Sequence, residues 1–184
     1  MQELVFDHVY HLAGDQVIPN YFGVKLCKAK AHHLVVTDKT AAKIDALDAG
    51  FPGGPPQTIH PVRVSATDYK AILDELQESW SKLPPGTHVG FNITGGTKPM
   101  SAAALDLCRR REITPFYIDT QERKIRFFVE PFDHLDLPPV FDTVASFLPL
   151  AGYQVKTPGT VPEALLTPAR RRLPASPPPQ RRAT

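Results

Sequence analysis

An α/β fold with helices on both faces of a mainly parallel, doubly wound sheet is what the sequence predicts, and three patterns carry the prediction. Short apolar runs alternate with amphipathic segments at close intervals from Leu4 to Val129. Two of these runs lead directly into glycine-containing turns that open helices, at Gly14 and at Gly95-Gly96. The last two runs, Pro115–Asp119 and Lys124–Val129, flank a polar turn and predict a C-terminal β-hairpin.

Taken in order, Glu3–Leu12 holds Leu4, Val5, Val9 and Tyr10 and reads as a first strand. Ile18–Lys30 reads as a helix, with Pro19 in the first turn, where a missing N–H is harmless. His33–Thr37 is a continuous apolar run of the kind buried parallel strands show. Asp38 is the expected cap of a helix through Ala42, Ile44 and Leu47 that Gly50 closes. Thr58–Val64 is the third strand, and Pro61 marks an edge or an irregular position. Thr67 or Asp68 caps the clearest helix, whose stripe is Tyr69, Ile72, Leu73, Leu76, Trp80 and Leu83. Pro84-Pro85-Gly86 ends it. Val89–Ile93 is the fourth strand, and the helix after it carries Met100, Ala103, Ala104, Leu107 and Cys108 on one face. A weak helix is expected over Val140–Leu148.

The sequence divides into a folded domain, 1–155, and a tail, 156–184. From Pro158 onward there are seven prolines and five arginines (Arg170, Arg171, Arg172, Arg181, Arg182) against the single acid Glu163. Such a segment cannot bury enough apolar surface to order itself, and disorder is expected. The net charge of +2 belongs to this tail, because the first 157 residues hold 16 basic and 18 acidic side chains. General DNA or RNA binding by the folded body is therefore not expected. No apolar run approaches the length of a membrane span, and the N-terminus lacks the basic start of a signal peptide. Cys27 and Cys108 read as buried small hydrophobes on helices, so a reducing cytoplasm is the expected location.

Ligands of open α/β sheets bind beyond the carboxyl ends of the strands. Asn92-Ile93-Thr94-Gly95-Gly96-Thr97-Lys98-Pro99-Met100 leaves the fourth strand, turns on adjacent glycines and opens a helix. Adjacent glycines let backbone N–H groups approach a ligand, Thr94 and Thr97 add hydroxyls, and Lys98 adds a cation at a helix N-terminus. The result reads as a phosphate cradle or as a tight packing turn; it is neither a Walker A loop nor GxGxxG. The first-strand loop, Gly14-Asp15-Gln16-Val17-Ile18-Pro19-Asn20, offers the amides of Gln16 and Asn20, suited to base edges and sugar hydroxyls, or merely caps its helix. His8 and His11, three apart on a strand, face opposite sides, and no metal-ligand spacing stands out. Neither metal nor cofactor is expected. Arg109-Arg110-Arg111 reads as a helix terminus suited to the macrodipole.

The string from Asn92 to Met100 resembles the signature of CRISPR-associated Rossmann-fold (CARF) domains, and Asp15–Asn20 resembles the first ligand loop of the subgroup fused to PD-(D/E)xK-type nucleases in type III CRISPR systems. The resemblance covers Leu4–Val129 and implies a Rossmann-like fold. It also implies a homodimer that binds cyclic oligoadenylate, most often cyclic tetra-adenylate, across its two-fold axis. Carried over, Gly14, Asp15, Gln16, Ile18, Pro19 and Asn20 would form one ligand wall. Asn92, Thr94, Gly95, Gly96, Thr97, Lys98 and Met100 would form the other. Some CARF domains are metal-independent ring nucleases, in which a ribose 2′-hydroxyl attacks the adjacent phosphorus; Lys98 and Gln16 would be the catalytic positions. No acidic pair with an E-x-K element follows Gly152, so effector nuclease activity is not expected from this chain. The competing reading is a non-enzymatic sensor module, part of a longer nuclease or a regulator. An ordinary nucleotide-binding domain lacks its GxGxxG here, and a DNA-binding regulator lacks a recognition helix.

Overall fold

In the computed structural model, which describes residues 4–51, 53–131, 133–138 and 144–153, strand and helix alternate as the periodicity requires. The first half runs β1 (Leu4–Val5), β2 (His8–Leu12), α1 (Ile18–Leu26), β3 (Cys27–Lys28), β4 (Ala31–Val36), α2 (Lys43–Ala49) and β5 (Thr58–Arg63). The second half runs α3 (Tyr69–Ser81), β6 (Val89–Asn92), α4 (Lys98–Arg111), β7 (Thr114–Asp119), β8 (Lys124–Phe127), β9 (His134–Asp136) and α5 (Val144–Leu150).

The main sheet has the order β5-β4-β2-β6-β7-β8-β9, and β1 pairs with β3 in a separate two-stranded sheet. From β5 through β7 every pairing is parallel, and β8 and β9 add antiparallel. Two apolar clusters lie on opposite faces, as the period-two alternation of β2 requires. Val9 joins Val17, Tyr21, Val24, Leu47 and Leu150 under α1, α2 and α5. Tyr10 and Leu12 join Ile72, Leu76, Met100, Ala103 and Leu107 under α3 and α4. The fold is thus Rossmann-like and doubly wound. From β2 the chain steps outward through β4 to β5, then returns to β6 on the other side of β2. The topological switch point therefore lies between β2 and β6, at whose carboxyl ends open α/β sheets bind their ligands.

Several boundaries differ from the sequence expectation, each for a local reason. The first strand breaks at Phe6-Asp7. The Asp7 carboxylate accepts the His88 N–H at 2.9 Å and pairs with Lys30 at 2.8 Å, which turns the chain from β3 toward the main sheet. Helix α1 stops at Leu26, because Cys27 is extended and pairs with β1; Cys27 is on a strand, while Cys108 is on helix α4. Both are buried, and burial pushes each thiol up to about 12. Asp38 does not cap α2, which begins five residues later. It pairs instead with Arg63 at 3.2 Å, while Thr40 holds the turn by accepting the Thr37 N–H at 2.9 Å. Gly50 ends α2 with an ordinary helical φ of −69°; its small size is needed because a Cβ would stand 2.7 Å from Leu150 on α5. The proline-bearing strand β5 is at the edge of the sheet, and Asp68 caps α3 by accepting the Ala71 N–H at 3.1 Å. Strand β9 was not anticipated. The expected Val140–Leu148 helix lies partly outside the described residues, which hold α5. The tail, 156–184, lies wholly outside them. Among the described residues no helix is long and apolar enough to cross a membrane.

Candidate functional site

Two loops meet at the switch point. One leaves β2 through Ala13, Gly14, Asp15 and Gln16 and enters α1; the other leaves β6 through Ile93, Thr94, Gly95 and Gly96 and enters α4. They touch backbone to backbone. A Cβ on Gly95 would fall 2.2 Å from the Leu12 carbonyl oxygen, and one on Gly14 would fall 3.2 Å from the Gly96 nitrogen. Gly95 is thus obligatory for packing, whereas Gly96, at φ +80°, supplies the left-handed turn. Among the described residues, the N–H groups of Gly14, Gly95 and Gly96 donate to no protein acceptor.

A cleft of ≈ 470 Å³ opens over this junction, bounded on a third side by the end of β7 and its turn into β8. Gly14, Asp15, Gln16, Pro19, Thr94, Gly95 and Gly96 line the first two walls. The N-cap of α1 is Val17, with no side-chain cap, so Asp15 and Gln16 are not used for capping. Asp15 instead faces Lys39 at 3.2 Å, and Gln16 is exposed.

Of the other residues singled out in the sequence, all but Lys98 lie behind the cleft. Asn20 is buried and donates to the Leu12 carbonyl at 2.9 Å, so its amide braces the loop. Ile18 is half-buried against the core, and Met100 is fully buried, its Sδ accepting the Thr97 N–H at 3.4 Å. The Thr97 hydroxyl caps α4 at the Met100 N–H and donates to the Ala66 carbonyl at 2.6 Å. Lys98 is the first residue of α4, exposed and outside the cleft lining; among the described residues it has no partner.

Asn92 is fully buried at the end of β6 and organises the cradle. Its Oδ1 accepts the Thr94 N–H at 3.1 Å and the Thr94 hydroxyl at 2.6 Å, and Thr94 Oγ1 in turn accepts the Ile118 N–H at 2.7 Å. One threonine therefore ties the glycine turn to β7. Behind Asn92 runs a buried relay that sequence reading missed. Because the Asn92 amide nitrogen can only donate, His11 Nδ1 accepts from it at 3.3 Å. His11 Nε2 then donates to His32 Nδ1 at 2.9 Å, and His32 Nε2 donates to Gln57 Oε1 at 3.1 Å. Each imidazole gives one proton and accepts one, which requires both to be neutral. Burial enforces the same state: it holds His11 well below the ordinary histidine range and His32 at about 4. His8 lies on the other face, against His33 at 3.0 Å, and among the described residues no three His, Cys, Asp or Glu side chains are grouped to hold a metal ion. The three C-terminal arginines of α4 are engaged at the surface: Arg109 and Arg110 with Asp106, and Arg111 over the Trp80 ring at 4.6 Å.

The third wall, Tyr117 to Gln121, was also missed as a site, although it is the carboxyl end, with the turn after it, of a strand that adjoins β6. The signal was present: the rule that placed the other loops applies equally to β7. In that turn the Asp119 carboxylate accepts the Glu122 and Gln121 N–H groups and the Arg126 guanidinium, which hold it below the usual carboxylate range.

Known proteins can be set beside this geometry. The structure resembles Can2 from Sulfobacillus thermosulfidooxidans in complex with cyclic tetra-adenylate (TM-score 0.74, 22% identity, covering 83% of this chain and 43% of that one). It also resembles protein VC1899 from Vibrio cholerae (TM-score 0.68, 13% identity, 79% and 39% covered). A third likeness is to Enterococcus italicus Csm6 bound to cyclic hexa-2′-fluoro-hexa-dAMP (TM-score 0.51, 11% identity, 63% and 34% covered). The chain spans less than half the length of each of these proteins. No curated protein matches the sequence. The family model of the Card1 CARF domain matches residues 9–136, the whole span from β2 through β9 that builds the switch-point cleft. The chain belongs to the Card1-type CARF domain family.

Proposed function

We propose that this chain binds cyclic oligoadenylate, in the first place cyclic tetra-adenylate, as a cytoplasmic sensor in type III CRISPR antiviral signalling. The observation that carries the reading is the apposition of the Gly14 and Gly95–Gly96 loops. Among the described residues it leaves three backbone N–H groups without a protein acceptor in the lining of an open polar cleft, in a chain of the CARF family. Such N–H groups at a helix N-terminus favour a phosphate. Gln16 beside them suits a ribose hydroxyl or a base edge. Fold likeness to Can2 bound to cyclic tetra-adenylate adds support. A four-nucleotide ring is larger than one such cleft and has a two-fold axis of its own. An isologous homodimer presents the same loops to both halves of the ring.

Ring cleavage is the second reading, and Lys98 is the observation behind it. A lysine at a helix N-terminus that has no acid partner among the described residues suits charge building on a phosphoryl oxygen. In-line attack by a 2′-hydroxyl also needs its proton removed. The two carboxylates in the cleft are engaged, Asp15 by Lys39 and Asp119 by Arg126. Gln16 can orient the hydroxyl but cannot take its proton. Binding with slow or no turnover follows. The test is to incubate the protein with cyclic tri-, tetra- and hexa-adenylate in EDTA and separate bound, free and cleaved ligand. Retention of an intact tetra-adenylate ring supports the sensor, cleavage in EDTA supports the ring nuclease, and neither retention nor cleavage of any ring overturns both.

A further inference from the structure

The third wall of the cleft has no part in the reading above. It consists of Tyr117, Ile118, Asp119, Thr120 and Gln121. Two sets of hydrogen bonds fix it. The Ile118 N–H is tied to Thr94 at 2.7 Å, and the Gln121 and Glu122 N–H groups are tied to Asp119 Oδ1 at 3.1 and 2.9 Å. The backbone of Gln121 is therefore held at the rim of the cleft. Its carboxamide is exposed and, among the described residues, hydrogen-bonds to no protein group. Tyr117 lines the same wall with 36% of its surface exposed.

Charge then decides what this wall can take. Among the described residues no lysine, arginine or histidine lines the cleft, and its two carboxylates, Asp15 and Asp119, are paired with Lys39 and Arg126. The wall therefore offers a phosphate no free cation, and a phosphate belongs at the glycine N–H groups. A neutral group that carries donor and acceptor together needs no cation. A carboxamide pairs in that way with an adenine edge, giving to N7 and accepting from N6. An exposed aromatic ring beside it offers a stacking surface for any base.

We infer that the β7–β8 turn is a nucleobase subsite in which Tyr117 stacks on an adenine and Gln121 reads its N6 amino edge. The subsite rests on the cyclic oligoadenylate reading and gives it a residue that determines specificity. The experiment compares cyclic tetra-adenylate with the tetra-inosinate ring, which replaces each N6 amino group by a carbonyl, on wild-type, Gln121→Ala and Tyr117→Ala proteins. The wild type should prefer the adenine ring by about tenfold or more, the worth of one bidentate contact. Gln121→Ala should lose most of that preference while keeping its affinity for the inosine ring and its melting temperature. Tyr117→Ala should weaken both rings alike, by at least about fivefold. A wild type that binds both rings equally overturns the subsite and leaves the sensor reading standing. So does a Gln121→Ala protein that keeps the preference or loses both rings in proportion. A wild type that binds neither ring overturns the sensor reading and the subsite with it.

Discussion

Lys98 stands where a helix dipole least favours a cation: it is the first residue of α4, whose first turn holds no acid. Among the described residues nothing in the protein offsets that placement, which is accounted for if a ligand phosphate does. Lys98→Ala should therefore leave the melting temperature unchanged or slightly higher. It should weaken ring binding by roughly 1.5–3 kcal/mol, the value of a charge-assisted hydrogen bond. Titration of both proteins with cyclic tetra-adenylate checks this, and equal affinities would remove Lys98 from the site. Gly95 behaves in the opposite way. With the Leu12 carbonyl 2.2 Å from where its Cβ would be, even alanine forces the two loops apart. Gly95→Ala should cost about 3 kcal/mol of stability, the upper range for overpacking. Chemical denaturation measures it, and a wild-type midpoint would mean that the loops separate freely.

Among the elements, α3 was legible in advance from its apolar spacing and from Asp68, one of its two candidate caps, and α4 from the face of Met100 to Cys108. The edge position of β5 is one of the two that Pro61, with no N–H to give a neighbour, had left open. The break at Phe6-Asp7 was not legible, because it depends on His88, a residue far along the chain. The two glycine loops could be read from local turn chemistry. That Asn20, Asn92 and Met100 lie behind them could not, since burial is decided by what packs on top. The histidine relay was hidden for the same reason. His11 on β2 meets His32 on β4 only through the parallel register, in which His11 lies opposite Leu34. The buried histidines give these strands a dependence on pH. His32 and His33 are held at about 4 by burial, against an ordinary 6.5. Between those values the unfolded chain binds protons that the folded one refuses, so stability is full above about pH 6.5 and falls as pH drops toward 4. Each contributes up to roughly 3 kcal/mol to that loss. Denaturation at pH 7 and pH 5 tests it, and equal stabilities would show that the histidines are not held neutral.

At the scale of the whole molecule, a doubly wound sheet places the switch-point cleft, and the proposed two-fold assembly would set two such clefts against one ring. The basic Pro/Arg-rich segment has no place in that chain of cause. A protein cut after Thr157 should bind the ring within about threefold of the full chain, roughly 0.7 kcal/mol. A loss beyond about tenfold in the same titration would bring its arginines into the site. The central claim is that two copies share one cyclic tetra-adenylate. Isothermal titration calorimetry of the full chain with that ring, with light scattering on the same samples, tests it most directly. The account predicts a dimer that takes up one ring for every two chains. A monomer that stays monomeric with ligand, saturation at one ring per chain, or no heat of binding would contradict it.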